Sequence, residues 1–210
     1  MRHLTVSFRT PRSAWVLAVL VALLLVGSQA EATVITFDDV TTGTESLIPN
    51  GYSGLLWNNF YVFDGTLMYP GSGYDNGTVT EDYVALNGNP NPAAFSDAPF
   101  TFNGCYLTAA WNEDLNIQVE GFLDDTLLFS ETVVVDPYEP TWFDFNFTGI
   151  NRVVFTSWGG TDAGLGGGGT YFAMDNLTIN ESSAAIPEPS SMALLALGGL
   201  GLLRRRRGRA

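Results

Sequence analysis

The chain has 210 residues, with 9 Lys+Arg, 22 Asp+Glu and a single His, for a formal net charge of −13. Lysine is absent, and eight of the nine arginines fall in the first dozen or the last seven residues, so the stretch 33–185 holds one cation, Arg152, against 20 acids, a net −19. Such a stretch cannot neutralise a phosphate backbone, which excludes nucleic acid as a partner, and without His or Lys it cannot assemble a Ser-His-Asp catalyst, a Schiff base or a histidine-ligated metal site.

In chain order, the first element is an address. Arg2, His3, Arg9 and Arg12 precede an apolar run over 14–26, and the small-residue site Ala30-Glu31-Ala32 follows. This three-part layout predicts a secretory signal helix over 1–32, carried to the Sec translocon and cut by signal peptidase after Ala32. The apolar run is too short to read as a permanent span.

The stretch 33–181 shows no sustained helical periodicity. Short apolar or alternating runs recur about every ten residues between Gly, Asn, Asp and Pro. They predict strands at 34–37, 55–62, 83–86, 100–102, 105–111, 116–122, 127–135, 142–147, 152–158 and 170–179. In Trp142-Phe143-Asp144-Phe145-Asn146-Phe147 the three phenylalanines share one face. Leu123-Asp124-Asp125-Thr126 reads as a hairpin turn. The expected fold class is all-β: one antiparallel β-sandwich, a jelly roll, with a closed barrel as the alternative. The glycine run at 164–169 is not followed by Lys and Ser/Thr in phosphate-loop order, so it is expected to be a mobile loop before the last strand. Cys105, the only cysteine, rules out an intrachain disulfide and reads as a small buried hydrophobe.

Candidate ligand groups are carboxylates and aromatics. The first strand runs into Asp38-Asp39, and the last contains Asp175-Asn176. This pairing of terminal strands resembles that of jelly-roll carbohydrate-binding modules. The resemblance implies a structural calcium ion, for which Asp38, Asp39, Asp175 and Asn176 would offer hard oxygen ligands. Turn and capping roles are the alternative for the same residues. The adjacent acids Glu113-Asp114 and Asp124-Asp125 read as solvated turns. Trp57, Phe60, Tyr61, Phe63, Tyr69 and Tyr74 crowd the first third, and Trp111, Tyr138, Trp142 and Trp158 come later. Tyr69, Tyr74 and Tyr138 sit among Gly and Pro, so they are expected to be exposed and to offer flat platforms to a glycan, against the alternative of ordinary core.

A linker at 182–185 leads to the tail, 186–210. Pro187-Glu188-Pro189 precedes an apolar segment of 14 residues at 190–203, then Arg204, Arg205, Arg206, Arg207 and Arg209. As a transmembrane helix that segment would be about 21 Å long against a hydrocarbon core of about 30 Å, a marginal span suited to temporary retention with the arginines cytoplasmic. The tail resembles the PEP-CTERM sorting signal of Gram-negative, exopolysaccharide-producing bacteria. The resemblance implies cleavage near Pro187-Glu188-Pro189 by an exosortase-type membrane protease-transpeptidase. The expected protein is exported and held briefly in the inner membrane. It then moves to the cell surface or extracellular matrix, where it is structural or polysaccharide-binding and non-enzymatic. A carboxylate-dependent glycoside hydrolase or lyase and an adhesin-like, protein-binding surface protein are the alternatives.

Overall fold

The computed structural model describes residues 32–88 and 92–181. The signal segment (with Ala30), the linker and the tail lie outside them; Ala32 is exposed. Ten strands form: β1 Thr33–Ile35, β2 Glu45–Leu47, β3 Leu56–Asn58, β4 Phe60–Asp64, β5 Tyr83–Asn87, β6 Ala93–Ala109, β7 Asn112–Leu123, β8 Thr126–Val135, β9 Thr141–Asp162 and β10 Phe172–Ile179. Every pairing is antiparallel, along the path β2-β4-β5-β10-β6-β9-β7-β8, with β1 added to β10 and β3 to β6. Two short helices, α1 Gly65–Met68 and α2 Gly73–Asn76, interrupt the run between β4 and β5.

The path closes into a sandwich because β6 and β9 each serve both layers. The first part of β6 pairs β3 and the second part of β9, at Ser96↔Arg152 and Ala94↔Val154. Its second part pairs β10 and the first part of β9, at Gly104↔Asp144 and Leu107↔Thr141. Register shifts between Ser96, Phe100, Phe102 and Gly104 mark the corner. Bulges bend a strand and re-aim it, which is how one strand passes from one sheet to the other.

Period-2 alternation then fills the space between the layers. Phe60 and Phe172 from one layer meet Phe155 from the other at 5.8 Å between ring centroids. Phe95 and Phe102 also pack on Phe155. The predicted face of Phe143, Phe145 and Phe147 lies on this core, with Phe129 of β8 stacked on Phe147 at 4.8 Å. Cys105 is buried in the same core. The hairpin is present: Leu123 pairs Thr126, and Asp124 takes the left-handed conformation (φ 54).

The differences from the sequence reading have local causes. The predicted 100–102 and 105–111 strands belong to one strand, as do 142–147 and 152–158, because Asn103-Gly104 and Gly149 lie within bulged strands and not in loops. The predicted 55–62 strand is split at Asn59, which is left-handed (φ 57). β2, α1 and α2 lie in stretches too short to show a period.

The two ends of the domain meet. Thr33 pairs Ile179 and Ile35 pairs Leu177. Just beyond β10, the Asn180 N–H donates to the Thr101 carbonyl (2.8 Å) and the Asn180 side-chain oxygen accepts from the Thr101 N–H (3.0 Å). The Asn103 amide grips Glu181 at both its N–H (2.8 Å) and its carbonyl (3.1 Å). The chain therefore leaves the domain from a fixed point beside its own beginning.

Candidate functional site

The outward face of one layer carries a second, smaller hydrophobic cluster. In β4, Phe60 and Val62 point into the sandwich while Tyr61 and Phe63 point out; in β5, Val84 and Leu86 point out and Ala85 points in. Ala173 of β10 joins the outer set, with Tyr74, Ala110 and Trp111. The two helices bring tyrosines onto this face. Asp64 caps α1 by accepting from the Leu67 N–H (2.9 Å), and Ser72 caps α2 by accepting from the Tyr74 N–H (3.2 Å). Gly73 lets α2 lie on β6: its N–H donates to the Ala110 carbonyl (3.0 Å), and a Cβ there would stand 1.6 Å from the Ala109 oxygen.

Phe63, Tyr69, Tyr74 and Trp111 form one aromatic block. Tyr69 and Tyr74 meet Trp111 edge-on at 5.4 and 5.5 Å and each other at 5.7 Å, while Phe63 lies 5.4 Å from Tyr74. Beside the block opens a groove of about 490 Å³ whose lining adds Glu45, Tyr61, Asn87, Gly167 and Tyr171. Gly167 rests against the indole; a Cβ there would lie 2.4 Å from the Trp111 ring. The glycine loop at 164–169 is thus laid on the groove wall, with Leu165 packed against the small cluster. Asn87 fixes the far wall by accepting from the Phe172 N–H (2.9 Å).

The three sequence-predicted platform tyrosines part company. Tyr69 is 40 % exposed and lines the groove, whereas Tyr74 is 2 % exposed and supports it from beneath, which corrects the expectation of an exposed ring. Burial pushes the Tyr74 phenol far above its ordinary pKa, with Tyr171 and Tyr69 adding to the effect and Trp111 opposing it. Tyr138 is 54 % exposed but lies outside the groove lining; its hydroxyl donates to Glu113, which holds the phenol pKa up. The hydroxyls of Tyr61, Tyr69 and Tyr171 and the carboxylate of Glu45 make no hydrogen bond or ion pair among the described residues. The domain itself thus leaves the groove's polar edge unengaged.

Sequence reasoning missed Glu45, Asn87 and Tyr171. The alternation Phe60-Tyr61-Val62-Phe63 is the signal that could have pointed to an outward aromatic pair, but nothing local places Trp111 beside it.

The predicted calcium residues sit at the middle of β10 and just beyond β1. Asp175 is fully buried, and its Oδ2 accepts from the N–H groups of Val79 (2.8 Å) and Thr80 (3.0 Å), its Oδ1 from that of Asn176 (2.6 Å). Asn176 Oδ1 accepts from the Thr80 hydroxyl (3.0 Å). Asp38 accepts from the Tyr83 N–H (3.2 Å), and Asp39 from the Tyr52 hydroxyl (2.6 Å). Among the described residues no three His, Cys, Asp or Glu side chains gather around a common point. Burial raises the Asp175 pKa to about 6; its N–H donors oppose the rise and the nearby Asp38 charge adds to it. The carboxylate pins the loop before β5 to the last strand.

Comparisons with known proteins bear on the fold and the tail. Among solved structures the chain is similar to TmCBM61 in complex with beta-1,4-galactotriose, at 9 % identity and a TM-score of 0.33, over 62 % of this chain and 93 % of that one. It is also similar to a Family 16 Carbohydrate Binding Module-2, at 12 % identity and a TM-score of 0.27, over 51 % of this chain and 82 % of that one. The sandwich described above rests on its own strand pairing. No curated protein matches the chain. Among the described residues no helix is long and apolar enough to cross a membrane. Pro187, Glu188, Pro189 and Arg204, Arg205, Arg206 and Arg207 lie outside the described residues but within 185–207, which match the PEP-CTERM protein-sorting motif; the motif marks the protein as exported and exosortase-processed.

Proposed function

We propose that this is a non-enzymatic polysaccharide-binding protein of the cell envelope or extracellular matrix, retained by its tail in the inner membrane until an exosortase releases or transfers it. The observation that carries the reading is the groove. It joins an exposed tyrosine ring, three phenol hydroxyls and a carboxylate that the domain itself leaves unengaged. Aromatic faces take the apolar faces of sugars, and free hydroxyl and carboxylate groups take their hydroxyls. One carboxylate, Glu45, lines the groove, whereas hydrolysis of a glycosidic bond employs two. That favours binding over the hydrolase reading.

The test is affinity of the exported, mature chain for matrix polysaccharide and for defined oligosaccharides, with Tyr69→Ala as the comparison. Binding that falls at least about tenfold in the variant supports the groove; binding that ignores Tyr69 removes it. For the sorting step, replacing Glu188 or deleting 204–209 is expected to leave an uncut form in the membrane fraction, read by mass and fractionation. Calcium near Asp38, Asp39, Asp175 and Asn176 is a separate proposal from the terminal-strand resemblance. A rise in melting temperature on adding Ca²⁺ supports it, and identical melts in calcium and EDTA remove it.

A further inference from the structure

The groove has a charge as well as a shape. Its walls are the rings of Tyr61, Phe63, Tyr69, Trp111 and Tyr171, and its single ionisable acid is Glu45. Glu45 is exposed on the three-residue edge strand β2, and its carboxylate has no protein partner among the described residues. Among the described residues no cation lines the groove. The lone arginine of 33–185 is committed elsewhere: Arg152 lies 4.4 Å over the Phe122 ring, 4.0 Å from Asp125, and donates to the Asp124 carbonyl at the β7–β8 turn.

Each feature points to the same sign of ligand. Aromatic faces carry negative quadrupoles and attract ammonium groups, more strongly where water is partly excluded. A carboxylate at the rim adds a direct partner. The surrounding net charge of −19 on 33–185 raises the local concentration of cations and lowers that of anions. Uronic acid, sulfate and phosphate substituents would meet no counter-charge here.

Resting on the groove reading above, we infer that the preferred ligand is a polysaccharide bearing protonated amines: an amino-sugar polymer with part of its N-acetyl groups removed. The amine sits between the tyrosine faces and the Glu45 carboxylate, and the neighbouring ring faces stack on the aromatic block.

The experiment titrates the mature chain with three oligosaccharides of equal length: glucosamine, N-acetylglucosamine and galacturonate. The glucosamine oligomer is expected to bind about tenfold more tightly than its acetylated counterpart. That ratio shrinks with added salt and with pH raised above the amine's pKa, and galacturonate binds worst. Glu45→Gln brings the ratio down several-fold, while Asp97→Asn, which removes one exposed charge outside the groove, leaves it in place. Equal binding of the amine and acetyl forms, or the same fall in both variants, overturns the inference. Acetylated oligomer that binds as well as the amine and still depends on Tyr69 keeps the groove and discards the amine. Failure of all three oligomers to bind discards both.

Discussion

Among the described residues two aromatic clusters stand apart, and their composition differs with what covers them. Between the layers the rings are nearly all phenylalanine: Phe37, Phe60, Phe95, Phe102, Phe155 and Phe172 are fully buried there. On the outer face of the layer that holds β4, β5 and β10 they are, Phe63 apart, tyrosine and tryptophan, half-covered by two four-residue helices and a glycine loop. A phenylalanine brings no polar atom into a dry interior, whereas a tyrosine can bury its ring and still offer a hydroxyl at the rim. One cluster fills the sandwich; the other keeps its polar atoms at the surface, as the proposed binding face requires.

The contrast can be broken from either side. The largest effect is expected from Phe155→Ala, which empties the meeting point of both layers. It should cost about 3–5 kcal/mol, read by chemical denaturation, and leave little folded protein. Asp175→Asn comes next, at about 1–3 kcal/mol near neutral pH, because an amide nitrogen would face an N–H that the carboxylate now accepts. Its pH dependence is a further readout. The folded carboxyl titrates near 6 against an ordinary 3.8, so between those values the folded chain binds more protons than the unfolded one. Stability from this group is full below about pH 4 and is lost as pH rises through about 6; melts across that range should flatten in the variant. Gly167→Ala should cost about 1–3 kcal/mol by lifting the loop from Trp111, and should weaken oligosaccharide binding as well. Tyr69→Ala should move stability least, by about 1 kcal/mol or less, while removing most of the binding. If Tyr69→Ala instead unfolded the chain, the outer cluster would be a second structural core and not a binding face.

How far the sequence could be read followed the range of the forces involved. The alternation at 142–147 depends on neighbours two residues apart and was plain. The same local rule split β6 and β9, since Asn-Gly and Thr-Gly-Ile-Asn look like turns unless their pairing partners are known. Tyr74 was misjudged for a related reason: glycines around it suggested a loop tip, whereas Gly73 is what lets its helix press the ring against Trp111. The groove draws on residues 45, 61, 69, 87, 111 and 171, which only strand order assembles. Charge was legible throughout, because a missing lysine needs no fold to be noticed.

The grip of Asn103 on Glu181 sets a short leash. Five residues separate that point from Pro187, a reach of at most about 22 Å for fully extended chain. The groove wall at Tyr171 lies at the opposite end of β10, about 25 Å along the strand. The contacts that hold the final strand therefore end at Glu181, at the end of the sandwich away from the tyrosines that face outward.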